Sequence, residues 1–169
     1  DIPLSFAFPI EQEKKTEIGA RVAVLEREHN LDTRKILLYT GNLKPYQGID
    51  LLLDAWECFI DKTPAWQEFC LVIIGGPEPL VAPSKARIKD SFWQDSVVFL
   101  GQRPSEEMER WMNSARCLIS PRSQGENTPL KIYSYMAAGK PIIATRMQTH
   151  TQVLDDETAF LVEPRPRDM

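Results

Sequence analysis

Short runs of consecutive apolar residues alternate along this chain with segments whose apolar residues recur three and four positions apart. The runs lie at 36–39, 69–74, 97–100, 117–119 and 142–144, with a weaker one at 159–162. A strand with one wet face alternates apolar and polar residues. These runs are apolar at successive positions, so both faces are buried, as in a parallel sheet covered by helices. Between them, Ile18, Val22 and Leu25 share one helical face, with Asn30 as the stop. Leu52, Ala55, Trp56 and Phe59 form a second stripe. Ser105-Glu106-Glu107 has the cap and early carboxylates of a third helix start, with Met108, Trp111 and Met112 turned inward. A fourth helix opens with Thr128 as N-cap and Pro129 at the first helical position, and it ends at Gly139 before Pro141. The segment 81–91 gives no clear period. The alternation predicts an α/β fold: a doubly wound, Rossmann-like parallel sheet of about six strands with helices on both faces.

Composition narrows the classes. At 169 residues the chain has the size of one domain. It carries 20 Lys and Arg against 24 Asp and Glu, a net charge of −4. A mildly acidic chain is a poor candidate for a general nucleic-acid binder, which needs a basic face. No run approaches the ~20 apolar residues of a membrane span. The cysteines are Cys58, Cys70 and Cys117, with no Cys-x-x-Cys pair, and the only histidines are His29 and His150. A structural zinc site is not expected. Cys70 and Cys117 sit within apolar runs and read as core residues, which fits a reducing, cytoplasmic compartment. The opening Asp1-Ile2-Pro3-Leu4-Ser5-Phe6 lacks the basic region and sustained apolar core of a secretory signal. With no initial Met and an end close after the last strand-like run, the chain reads as a piece of a longer protein. Residues 1–34 are expected to be a linker, with 3–10 as its core, and a first helix leading in from an N-terminal domain. Residues 35–169 form the sheet domain.

Ligands of doubly wound sheets bind beyond the carboxyl ends of the strands, which leaves three loops. The first is Thr40-Gly41-Asn42-Leu43-Lys44-Pro45-Tyr46-Gln47-Gly48, where glycines at 41 and 48 permit close backbone approach. It is neither a Walker loop nor a Gly-x-Gly-x-x-Gly loop. The second is Gly101-Gln102-Arg103-Pro104, placed to face a base. The third runs from Pro121 through one acid, Glu126, into the helix start at Asn127-Thr128-Pro129-Leu130-Lys131. Free N–H groups at a helix start, with a mobile cation at Lys131, suit a diphosphate. Each loop alone also has a plain reading: a turn, a solvated lysine, a glutamate serving the helix dipole. His150 reads as a surface-loop histidine near a strand end, and the four tryptophans as core or edge packing.

Taken in order, the motifs resemble the C-terminal, nucleotide-sugar-binding half of a family-4 retaining glycosyltransferase of the GT-B fold. The resemblance covers about residues 36–164. Its centre is Glu126 followed by Met136-Ala137-Ala138-Gly139-Lys140-Pro141-Ile142-Ile143-Ala144-Thr145, supported by Tyr39-Thr40-Gly41-Asn42-Leu43, Gln47-Gly48, Ile73-Ile74-Gly75-Gly76 and Val98-Phe99-Leu100-Gly101. The resemblance implies Glu126 as the catalytic acid residue beside the sugar. It implies donor contacts from Gly41, Asn42, Gln47, Arg103, Asn127, Thr128, Leu130, Lys131 and Ser134. It implies no cofactor and no essential metal. The donor would be a nucleotide diphosphate-sugar, and the acceptor a glycan or lipid-linked sugar held by an N-terminal domain, as in polysaccharide biosynthesis. Any membrane contact would belong to the full-length enzyme, peripherally at the inner face.

The chain departs from that family pattern. Ser134 stands where the second family Glu would hold the ribose hydroxyls. Asn42 and Gln47 stand where the family carries a phosphate-binding Arg and Lys, and Pro129 removes a backbone donor. Lys131, Lys44 and Arg103 are the cations able to compensate. Two rivals share the fold: a nucleotide-sugar 2-epimerase-like enzyme, which would call on His150 with Glu126, and a non-catalytic nucleotide-binding domain.

Overall fold

The structure is a computed structural model describing residues 12–169; the 3–10 linker and the opening hexapeptide lie outside them. The chain enters through α1 (Gln12–Glu28). It continues through β1 (Lys35–Thr40), α2 (Ile49–Lys62), β2 (Phe69–Ile74), α3 (Glu78–Ile88) and β3 (Val97–Gly101). The second half runs α4 (Met108–Ser114), β4 (Cys117–Ser120), α5 (Lys131–Ala137), β5 (Ile142–Thr145), α6 (Gln148–Thr151) and β6 (Phe160–Val162). Every apolar run became a strand. The unassigned segment at 81–91 belongs largely to α3, whose weak amphipathicity and internal Pro83 hide its period.

The six strands form one sheet in the order β3-β2-β1-β4-β5-β6, all pairs parallel. The chain steps outward from β1 to β3, returns to β4 on the other side of β1, then steps outward to β6. Order therefore reverses between β1 and β4, where Leu38 pairs with Leu118. At such a reversal the flanking loops splay apart and leave a crevice beyond the strand ends.

Successive strand residues feed two separate cores, as continuous apolar runs require. Leu38, Cys70, Val72 and Leu118 pack with Val22 of α1, Trp111 and Met112 of α4, and Ile132 and Tyr135 of α5. Tyr39, Leu71, Ile73 and Ile119 face the opposite way, against Leu52, Leu53 and Trp56 of α2 and Val81 of α3. Each fully buried Leu or Ile contributes about 1.5–3 kcal/mol. Cys70 lies inside the first core and Cys117 at its edge; burial pushes both thiols up to about 11.

The first helix is tied to this domain. Ile18 and Val22 are buried, Asn30 closes the helix in the left-handed region at φ +53°, and Arg21 Nη2 lies 2.7 Å from Glu107 Oε1 on the far side of the sequence. The expected start at Ser105-Glu106-Glu107 forms a 3₁₀ turn ahead of α4, with no side-chain cap. Glu107 is not a solvated partner of the helix dipole. It is fully buried and receives Arg103 Nε at 2.9 Å as well as Arg21.

Candidate functional site

The loops after β1 and β4 flank the reversal point and are laced together. Ser123 N–H donates to the Tyr46 carbonyl at 3.0 Å. Gly48, at φ +75°, has no room for a side chain, because a Cβ would collide with the Pro121 carbonyl oxygen. Gly75, after β2, presses against the Gly41 carbonyl in the same way. Glycine is required at 48 and 75 because these loops meet backbone to backbone.

Lys131 sits at the centre of this junction. Its Nζ lies 3.9 Å from the centroid of the Tyr39 ring and donates to Gln47 Oε1 at 3.3 Å. Tyr39 is itself fixed: its hydroxyl donates to the Asn42 carbonyl at 2.7 Å. The ammonium is half-buried and lies 3.6 Å from the place a side chain would occupy at Gly41. Desolvation first, and the nearby Arg122 guanidinium second, lower its pKa from 10.5 to about 7. A lysine poised near neutrality in a crevice gains its charge back when an anion arrives. The sequence residues Gly41, Gln47 and Lys131 are thus brought together, with Asn42 contributing a backbone carbonyl while its own Oδ1 accepts from the Lys44 N–H at 3.3 Å.

Arg122, which sequence reasoning did not single out, joins them. It follows β4 directly, and its guanidinium stands 5.2 Å from the centroid of Tyr46. Its Nε donates to the Gln124 carbonyl at 2.7 Å, and its own carbonyl accepts from Thr145 Oγ1 at 2.6 Å. Gly125, which lies against the guanidinium, is required by its backbone angle, φ +110°. The usable signal was its position: an arginine at the carboxyl end of a central buried strand.

Other expected residues fall elsewhere. Arg103 is committed by two donors to buried Glu107, at 2.9 and 3.1 Å. Lys44 is exposed. Thr128 does not cap α5. That helix begins at Lys131 with Leu130 as its N-cap, and the Thr128 hydroxyl donates to Gln152 Oε1 at 2.8 Å. The Ile132 and Tyr133 N–H groups already donate to the Pro129 and Leu130 carbonyls. At seven residues α5 is also short, so the anion-binding weight falls on side chains rather than on the helix end. Glu126, Asn127 and Ser134 are exposed, and Leu130 is 82% exposed. The Glu126 loop is held from α6, where Gln152 Nε2 donates to the Glu126 carbonyl at 3.3 Å.

His150 is not a surface histidine. It is fully buried in α6. Its Nδ1–H donates to the Thr145 carbonyl at 2.8 Å and its Nε2 accepts from Ser120 Oγ at 2.9 Å. This bond pattern assigns the neutral tautomer. Burial lowers its pKa, which keeps it neutral as a strut joining the ends of β4 and β5. Fully buried, it is out of reach of a substrate that an epimerase histidine would have to touch. Among the described residues no group of three or more His, Cys, Asp or Glu gathers into a metal-binding cluster, and no helix is long and apolar enough to cross a membrane.

A doubly wound parallel sheet with a cationic crevice at its reversal point is the form of a GT-B glycosyltransferase half-domain. The chain belongs to the glycosyl transferases of group 1: that family's pattern matches residues 34–169. It is 29% identical over 134 residues to a D-inositol 3-phosphate glycosyltransferase of Acidothermus cellulolyticus, covering 76% of this chain and 30% of that protein. It is 33% identical over 132 residues to an uncharacterized glycosyltransferase of Haemophilus influenzae, covering 76% of this chain and 35% of that one. The chain thus spans about a third of the length of the curated relatives it matches. The structure of Anabaena HepE in complex with UDP-glucose superposes with a TM-score of 0.72 at 19% identity, over 88% of this chain and 40% of HepE. At that identity the likeness speaks for the fold.

Proposed function

We propose that this chain is the C-terminal, donor-binding domain of a retaining family-4 glycosyltransferase. The full enzyme would move a hexose from a nucleotide diphosphate-sugar to a glycan or lipid-linked acceptor. The observation that carries this reading is the Lys131 ammonium, held between Tyr39 and Gln47 at the β1–β4 crevice of a group 1 glycosyltransferase fold. Such a cation meets the charge that grows on the departing diphosphate as the anomeric bond breaks. In the balanced reaction the C1–O bond to the diphosphate breaks. The acceptor oxygen bonds to C1, and the acceptor proton leaves with the nucleoside diphosphate. Glu126, exposed on the loop anchored by Gln152, faces the sugar and stabilises positive charge on the ring. The acceptor is held by a second domain, so residues 1–169 alone bind donor without turning it over.

The test is a calorimetric titration with UDP, GDP, ADP and their sugar conjugates, at low salt and without metal. One nucleotide should bind saturably, and Lys131→Ala should weaken it by about 1–2 kcal/mol. In the full-length enzyme Glu126→Gln should cut kcat on the order of 100-fold while leaving nucleotide affinity within about twofold. Silence across the panel, or no effect of either change, would displace the site.

A further inference from the structure

Two cations line the crevice, and among the described residues neither is in an ion pair. Arg122 projects from the β4 loop and Lys131 from the first residue of α5, and each is steadied by an aromatic ring of the β1 region, Tyr46 and Tyr39 respectively. Their proximity is unfavourable for the empty protein, because like charges repel in a partly desolvated site. A fold keeps such an arrangement where a ligand supplies the missing negative charge. The position of Arg122 is held at two points: its carbonyl accepts from Thr145 Oγ1 and its Nε donates to the Gln124 carbonyl.

We infer that Arg122 and Lys131 together clamp the two phosphates of the donor, with Arg122 supplying from the β4 loop the cation that Asn42 and Gln47 do not supply from the β1 loop. This rests on the donor-binding reading above and assigns a phosphate-binding role to a residue outside the pattern that suggested it. Arg122 lies over the Tyr46 ring with its Nε donating to the Gln124 carbonyl, which leaves the terminal N–H groups of a planar guanidinium for a phosphate edge, while the ammonium acts as a compact point charge. Two cations at opposite ends of the β4–α5 connection favour a diphosphate over a monophosphate, since only the longer anion engages both.

The test titrates the full chain and its Arg122→Gln and Arg122→Lys variants with a nucleoside diphosphate and the matching monophosphate, alongside thermal unfolding of each. Arg122→Gln should weaken the diphosphate on the order of tenfold and the monophosphate by less than about threefold. Arg122→Lys, which keeps the charge but not the planar fork, should recover part of the loss and serves as the second arm if the Gln variant unfolds. Diphosphate affinity unchanged in Arg122→Gln overturns the inference and leaves the donor-binding reading standing. So does an equal loss for both nucleotides, which would make Arg122 a support of the loop. If the unmodified chain binds no nucleotide at all, the reading itself fails and takes the inference with it.

Discussion

Glu107 and Lys131 are both ionisable groups drawn out of water, and the fold treats them in opposite ways. Glu107 is fully buried and closed by Arg21 at 2.7 Å and Arg103 at 2.9 Å, so its charge is answered within the protein. Lys131 is half-buried near another cation, Arg122, and donates to the neutral Gln47. The first arrangement joins α1 to the domain across 86 positions of sequence. The second leaves charge unanswered where two loops face the crevice. A closed cluster belongs to stability, because removing one partner strands the others. An open cluster costs stability and is kept for binding.

That contrast can be broken by experiment. The largest effect should come from Glu107→Ala, which empties a buried site and leaves Arg103 and the part-exposed Arg21 without their acid. Stability should fall by about 3 kcal/mol, seen as a drop in Tm on the order of 10 °C, while the affinity of the folded protein for nucleotide stays unchanged. A Tm within about 2 °C of the parent would show that Glu107 is better solvated than its burial indicates. Lys131→Met should do the reverse. It replaces a desolvated ammonium by an apolar chain of similar length, so Tm at pH 7 should hold or rise slightly while nucleotide affinity falls about tenfold. A destabilised Lys131→Met that still binds would place Lys131 with Glu107 in the structural class.

A smaller effect is expected from pH. Lys131 titrates at about 7 in the folded chain and near its ordinary 10.5 when unfolded. Between those values the unfolded chain binds the extra proton, so folding stability rises with pH across that window. The ionisable groups that act on Lys131 are Tyr39, Arg122 and His150. Burial pushes Tyr39 up and His150 down, out of the window. Denaturant unfolding from pH 7 to pH 9 should show the parent gaining on Lys131→Met. Parallel curves for the two proteins would contradict the desolvated lysine.

Much of the scaffold was legible in the sequence because its signal is local. Runs such as Phe69–Ile74 announce strands buried on both faces, and the Gly139-Lys140-Pro141 stop announces the end of α5. What stayed hidden depends on contacts between distant residues. Glu107 read as a dipole partner because nothing in its neighbourhood names Arg21. His150 read as surface because its partners, Ser120 and Thr145, lie on two strands that only the sheet order brings together. Thr128 read as a cap by residue type, yet Gln152 takes its hydroxyl. Lys131 was visible as a cation in the right loop, but its desolvation over Tyr39 was not. Arg122 was overlooked because its value comes from Tyr46, on another loop.

The most direct measurement of the central claim is proton uptake on donor binding. A nucleotide diphosphate-sugar is titrated calorimetrically at pH 8 in buffers of different ionisation enthalpy; the sugar blocks the terminal phosphate, whose second pKa of about 6 would otherwise contribute. A lysine at about 7 is mostly neutral in the empty chain at that pH and charged once the diphosphate is bound. The account predicts uptake of roughly 0.9 of a proton per site, lost in Lys131→Met. Binding without uptake, or uptake that survives in Lys131→Met, would contradict it.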